Sequence, residues 1–314
     1  MRFYKVISLF IKATVLVASF YYILHKLINS PSLLLLNSIQ FSSKSSLCLV
    51  LAGILVLCNW GLEARKWQLL ISPFEKISWI HSFQSILAGI TISIFTPNRV
   101  GEFTGRIFFL RKADKVAASL RSVFGSFVQL MVTIMVGCIC IVFYTQKKYN
   151  VHTPLQSFLD PDKKWSLIIL VLLLFIALLA IFRLPYFLNW KQHIQSFFKI
   201  PRIHFFQSLF LSVIRYWVFT TQFFLIVIAF GIEIEYSSAF VLIAITFLIT
   251  AVIPTFALTE IVVRSAVAVT VFGAIDKAQP EVVAAASFLL WIINLAIPAF
   301  IGSLFIGKLQ FFKA

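Results

Sequence analysis

The chain has 314 residues, of which 61% are hydrophobic and 12% charged, and it carries a formal net charge of +16. A mean hydropathy of +0.98 excludes a soluble globular domain, which could not hide that much apolar surface. The basic excess forms no arm for nucleic acid: it lies mostly in short loops between apolar runs, where it sets orientation and attracts anionic head groups.

Apolar periodicity predicts an all-α polytopic membrane protein. The first helix, 4–28, follows Met1-Arg2-Phe3-Tyr4-Lys5 and has no small-residue cleavage site, so it reads as a retained span. Helix 46–66 follows, ending in Asn59-Trp60-Gly61-Leu62-Glu63-Ala64-Arg65-Lys66-Trp67. That charged end reads as an interfacial anchor, with long cations snorkelling beside tryptophans. Next come two short segments, 80–96 and 101–113, joined at a break, and then helix 117–145. A hydrophilic stretch, 146–164, divides the chain into two expected repeats, 1–148 and 149–314. Beyond it lie helix 165–184, an interfacial helix or loop at 187–200, helix 205–231, a second broken pair at 236–253 and 260–274, and helix 281–307. Six of these segments are long enough to span ~30 Å of hydrocarbon, and the two broken pairs are not.

Loop charge sorts the pairs. With a cytoplasmic N-terminus and both pairs re-entrant, fifteen loop Lys and Arg fall inside and seven outside, as the positive-inside bias requires. Both termini are then cytoplasmic. The second half becomes the first half turned over, an inverted-topology repeat whose broken helices meet near the midplane.

The breaks carry the chemistry. The first reads Thr96-Pro97-Asn98-Arg99-Val100-Gly101-Glu102-Phe103-Thr104-Gly105-Arg106; the second runs from Ile253-Pro254 to Thr259-Glu260-Ile261-Val262-Val263-Arg264. Pro97 and Pro254 stop the preceding helices. Asn98 and Thr259 are suited to cap the following half-helices, whose N-termini favour an anion. Arg99, Arg106 and Arg264 add planar donor forks suited to phosphate. Glu102 with Arg106, and Glu260 with Arg264, are spaced i,i+4, so each pair either neutralises itself or holds its arginine for a ligand. Arg99 has no partner nearby in sequence. Gly101 and Gly105 permit close helix packing. Arg215, inside 205–231, is either a deep cation or a snorkeller, and Gln129, Gln222 and Asn294 either line a cavity or bind neighbouring helices.

No enzyme is expected. Cys48, Cys58, Cys138 and Cys140 sit within apolar runs as small core residues, the five histidines have no metal spacing, and no nucleophile motif, P-loop or dinucleotide fingerprint occurs. No cofactor or metal follows.

The runs Trp60 to Leu70, Thr96 to Arg106 and Ile253 to Arg264 resemble the lysylphosphatidylglycerol synthase transmembrane region, a flippase-like domain family. Here Lys66-Trp67 stands where Arg-Trp is usual, and the late motif lacks the usual glycines. The resemblance implies a flippase in the cytoplasmic (inner) cell membrane. Its substrate would be an anionic or lipid-linked species of phospholipid or polyprenyl-phosphate type. The head group would be held by Arg99, Glu102, Arg106, Arg215, Glu260 and Arg264, with Pro97, Gly101, Gly105 and Pro254 shaping the backbone. It also implies that aminoacyl transfer, which resides in a soluble domain of the full synthases, is absent. The alternative is an integral subunit or partner of a lipid-modifying enzyme or glycosyltransferase. Membrane lipids are the expected partners, along with a second copy of the chain or a membrane enzyme.

Overall fold

The computed structural model describes residues 42–96, 99–146, 200–253, 257–273, 275 and 278–309. The expected helices 4–28 and 165–184, the 146–164 boundary from Lys147 on, nearly all of the 187–200 element, and Pro97, Asn98 and Pro254 lie outside these residues. The described residues are helical, with no strand.

Helix α1 runs Ser43–Ile71, α2 Trp79–Ser93, α3 Gly101–Phe108 and α4 Lys115–Gln146. After the undescribed segment come α5 Arg202–Ala229, α6 Tyr236–Val252 and α7 Ala257–Phe272. The last long helix is α8 Pro280–Trp291, continued through a π-turn, Ile292–Ala296, into α9 Ile297–Ser303. Four helical stretches are long and apolar enough to cross a membrane: Ser43–Ile71, Lys115–Tyr144, Arg202–Ala229 and Pro280–Ser303. They coincide with four of the six predicted spans. Pro280–Ser303 is the central one, with 67% of its apolar window buried against 22–39% in the others. Exposed Leu47, Val50, Ile54 and Leu57 on α1, and Phe206, Phe210 and Trp217 on α5, are the surface such a protein shows to lipid chains.

The start signals are local. Ser42 Oγ accepts from the Ser45 N–H at 3.1 Å, and Ser78 Oγ accepts from the His81 N–H at 3.2 Å; Pro280 opens α8, where its missing donor goes unused. For α3 the cap is Thr96, whose Oγ1 accepts from the Gly101 N–H at 2.7 Å. Thr259 is not a cap: it lies inside α7, which begins two residues earlier. The predicted segment 101–113 is helical only as far as Phe108. Beyond it, the Glu75 carboxylate accepts from the N–H groups of Arg111, Lys112 and Ala113 at 3.0, 2.7 and 2.9 Å, which holds that stretch as a loop.

Helices α2 and α3 form a hairpin. Its open ends are adjacent, with His81 Nε2 3.2 Å from the Phe109 carbonyl oxygen. Its arms touch backbone to backbone: a Cβ on Gly105 would lie 2.2 Å from Gly89 Cα, and one on Gly89 2.6 Å from the Glu102 carbonyl oxygen. At 15 and 8 residues, the arms reach ~22 and ~12 Å at 1.5 Å per residue, short of a full crossing. Helices α6 and α7 pack against each other in turn. The packing between halves is reciprocal. Helix α1 lies along α5, hairpin α2–α3 packs on α9, and α6 packs on α4. Thus each broken pair rests on the long helix that follows the other.

Candidate functional site

Where the breaks come together, their charges join in one network. Arg99, in the loop before α3, reaches the α7 residue Glu260: Nη2 lies 2.5 Å from Oε1 and Nε 3.2 Å from Oε2, a two-pronged pair. Arg264 Nη2 donates to the same Glu260 Oε1 at 2.9 Å. On the other side Arg99 Nη1 stands 3.9 Å from Glu102 Oε1, and Glu102 Oε2 accepts from Arg106 Nη2 at 3.2 Å. Arg106 Nη1 then meets Glu63 Oε1 at 2.9 Å. Glu63 Oε2 takes both Lys66 Nζ and Arg215 Nη1 at 2.8 Å. From Arg215 the chain turns neutral: its Nε donates to Asn59 Oδ1, Asn59 Nδ2 to Asn294 Oδ1, and Asn294 Nδ2 to Gln222 Oε1.

Three expectations change here. Arg99 does have a partner, Glu260 from the other half of the chain, a contact sequence distance conceals. The i,i+4 pairs exist but do not close on themselves, because each carboxylate also serves an arginine elsewhere. The end of α1 is no snorkelling anchor: Glu63 and Lys66 are each 2% exposed, and only Arg65 is at the surface, donating to Gln68 Oε1. Arg215 is the deep cation of its two readings, stacked 5.2 Å over Trp60. Gln222 binds its neighbours, donating to the Ala52 carbonyl.

A cavity of about 230 Å³ lies against this network, and Arg99, Arg215 and Arg264 all line it, together with Gln129, Asn294, Trp60, Tyr216 and Trp291. Exposure separates two kinds of cation. The side chains of Arg99, Arg215 and Arg264 keep 30%, 19% and 19% of their surface, whereas Arg106 keeps 3% and Lys66 2%. The first three face the cavity; the last two sit behind it and neutralise Glu63. The cations that line the cavity are thus guanidinium forks. The first turns of α3 and α7 already carry Glu102 and Glu260, which complement the helix dipoles themselves.

The backbone is distorted at the same point. Arg99 has φ = 57°, the one left-handed non-glycine among the described residues, a conformation costing ~1–3 kcal/mol that persists only when its surroundings hold it. Its bidentate grip on Glu260 supplies that hold. A second irregularity is the π-turn at Ile292–Ala296. Pro298, one residue into α9, has no N–H for a regular ladder, and the local widening places Asn294 on the cavity wall.

Among the described residues no group of three His, Cys, Asp or Glu could hold a metal ion. The four cysteines are free, with Cys48 and Cys140 buried.

These features define a multi-pass helical membrane protein with an arginine-lined cavity at the junction of its two broken helix pairs. The chain belongs to the family of the lysylphosphatidylglycerol synthase TM region, which matches residues 7–302. No curated protein and no solved structure matches it.

Proposed function

We propose that the protein moves an anionic or lipid-linked substrate across the bilayer, holding its head group against Arg99, Arg215 and Arg264. One observation carries the reading. Three arginines from three separate elements line one cavity, and each is anchored by a buried carboxylate. A charge at membrane depth costs ~2.5–3.5 kcal/mol on insertion scales and marks a substrate path more often than a structural need. An anion meeting three pre-positioned guanidinium groups loses little entropy on their side.

The reciprocal packing supports an inverted repeat: a two-fold relation between halves pairs α1 with α5 and gives each broken pair the other half's long helix. The adjacent ends of the α2–α3 hairpin support its re-entrance from one face. The charge bias makes that face, and both termini, cytoplasmic. No catalytic group enters this reading.

The test is reconstitution in liposomes with head-group-labelled anionic and zwitterionic lipids, scored by protection of the label from a membrane-impermeant quencher. Anionic lipid is expected to cross faster than in protein-free vesicles, and Arg215→Gln to slow it about tenfold or more, the worth of a charge-assisted hydrogen bond. A folded, reconstituted protein that moves no anionic lipid overturns the proposal.

A further inference from the structure

The transport reading leaves the charge of the substrate open, and the cavity wall narrows it. The ion-pair network holds five cations, Lys66, Arg99, Arg106, Arg215 and Arg264, against three carboxylates, Glu63, Glu102 and Glu260. Its net charge is therefore +2. Among the described residues no other acidic side chain is buried, so none of them balances it from the interior. Buried charge is tolerated when it is paired.

A ligand with two negative charges would balance this network. A phosphodiester brings one charge, and so does a carboxylate. A choline or ethanolamine head group adds a cation that three arginines repel.

We infer that the cavity receives a dianionic phosphate group, the phosphomonoester or diphosphate head of a lipid. The lipid half of this inference rests on the transport reading; the dianion rests on the charge count. The volume, about 230 Å³, is below the ~300 Å³ at which pockets for drug-sized ligands begin. The head group fits and the chains stay outside, against the exposed apolar faces of the spans.

Binding to the purified full chain in neutral detergent tests this, read by intrinsic tryptophan fluorescence and by thermal shift. The probes are short-chain phosphatidic acid, phosphatidylglycerol and phosphatidylcholine, with inorganic phosphate and pyrophosphate as soluble arms. Phosphatidic acid is expected to bind at least about tenfold tighter than phosphatidylglycerol at pH 8. That ratio should collapse toward unity at pH 5, because a phosphomonoester loses its second charge near a pKa of ~6. Arg264→Gln should remove the preference. Equal binding of the two lipids at pH 8, or a ratio indifferent to pH, overturns the dianion. Inorganic phosphate or pyrophosphate binding as tightly as phosphatidic acid overturns the lipid. Because binding is read without transport, a failure in liposomes leaves this result standing, and a flippase that handles both lipids equally refutes only the charge selectivity.

Discussion

Gly105→Ala tests the backbone contact that brings Glu102 and Arg106 into the network. The added methyl would lie 2.2 Å from Gly89 Cα and 2.4 Å from Gly89 N, where ordinary contact begins near 3.4 Å. The obstacle is backbone, so no side chain can swing aside, and α3 must retreat by about 1 Å to reach van der Waals separation. Overpacking of this kind costs ~1–3 kcal/mol. The retreat also stretches the 2.9 Å contact between Arg106 and Glu63, and a buried pair fully broken costs ~3–5 kcal/mol. Against these, alanine gains at most ~1 kcal/mol over glycine in a helix, so the net is a loss of roughly 2–5 kcal/mol. Gly53→Ala is the matched control. Gly53 is exposed in α1 with nothing within 4 Å of its added methyl, so only the helix gain applies and that variant should melt slightly higher than the parent. A thiol-reactive dye follows both melts in detergent once the exposed Cys58 is replaced by Ser, because Cys48 and Cys140 are buried until the helices part. If Gly105→Ala melts at or above the parent, the helices are not in backbone contact and the hairpin geometry is wrong.

Two further perturbations follow from the network and its flank. Glu63→Gln removes the one carboxylate shared by Lys66, Arg106 and Arg215, so it should destabilise by ~3–5 kcal/mol, more than Glu102→Gln, whose carboxylate keeps partial exposure; equal melting temperatures for the two would show that Glu63 is not the hub. Glu75 lies outside the spans, where burial draws its carboxyl up but the N–H groups of Ala113, Lys112 and Arg111 draw it down further, to a value below its ordinary 4.5. A depressed carboxyl contributes stability that is complete above the ordinary value and is lost as pH falls through the depressed one. Glu75→Gln should therefore melt below the parent at pH 7 and approach it at pH 3, and a gap that does not change with pH refutes the cap.

Much of this architecture was legible because the signals were local. Apolar length identified four spans, and proline with short flanking segments identified both breaks, since a chain in lipid can leave its backbone ladder only where protein or water satisfies it. The close approach of Gly101 and Gly105 was legible from their four-residue spacing. Arg99, Arg215 and Arg264 could be singled out one by one, because a cation in an apolar run is conspicuous.

Their connections were not legible, and the reason is geometric. An i,i+4 spacing states that Glu102 can meet Arg106 and Glu260 can meet Arg264, and both contacts exist. It cannot state that each carboxylate has further lone pairs, nor that these are taken by Arg99 reaching 161 positions along the chain and, for Arg106, by Glu63 as a second acceptor. Glu63 was misplaced because Trp60, Arg65, Lys66 and Trp67 have the composition of an interfacial belt. Yet α1 runs on to Ile71, so Glu63 lies two turns before the helix end. A carboxylate has too short a stem to snorkel as a lysine does. That reach argument separates Arg65, whose side chain turns to the surface, from Glu63, which cannot and so must be neutralised inside. It also explains why three cations converge there: at this depth a carboxylate is retained only where cations surround it, and the shared carboxylate in turn holds Arg215 at the cavity wall.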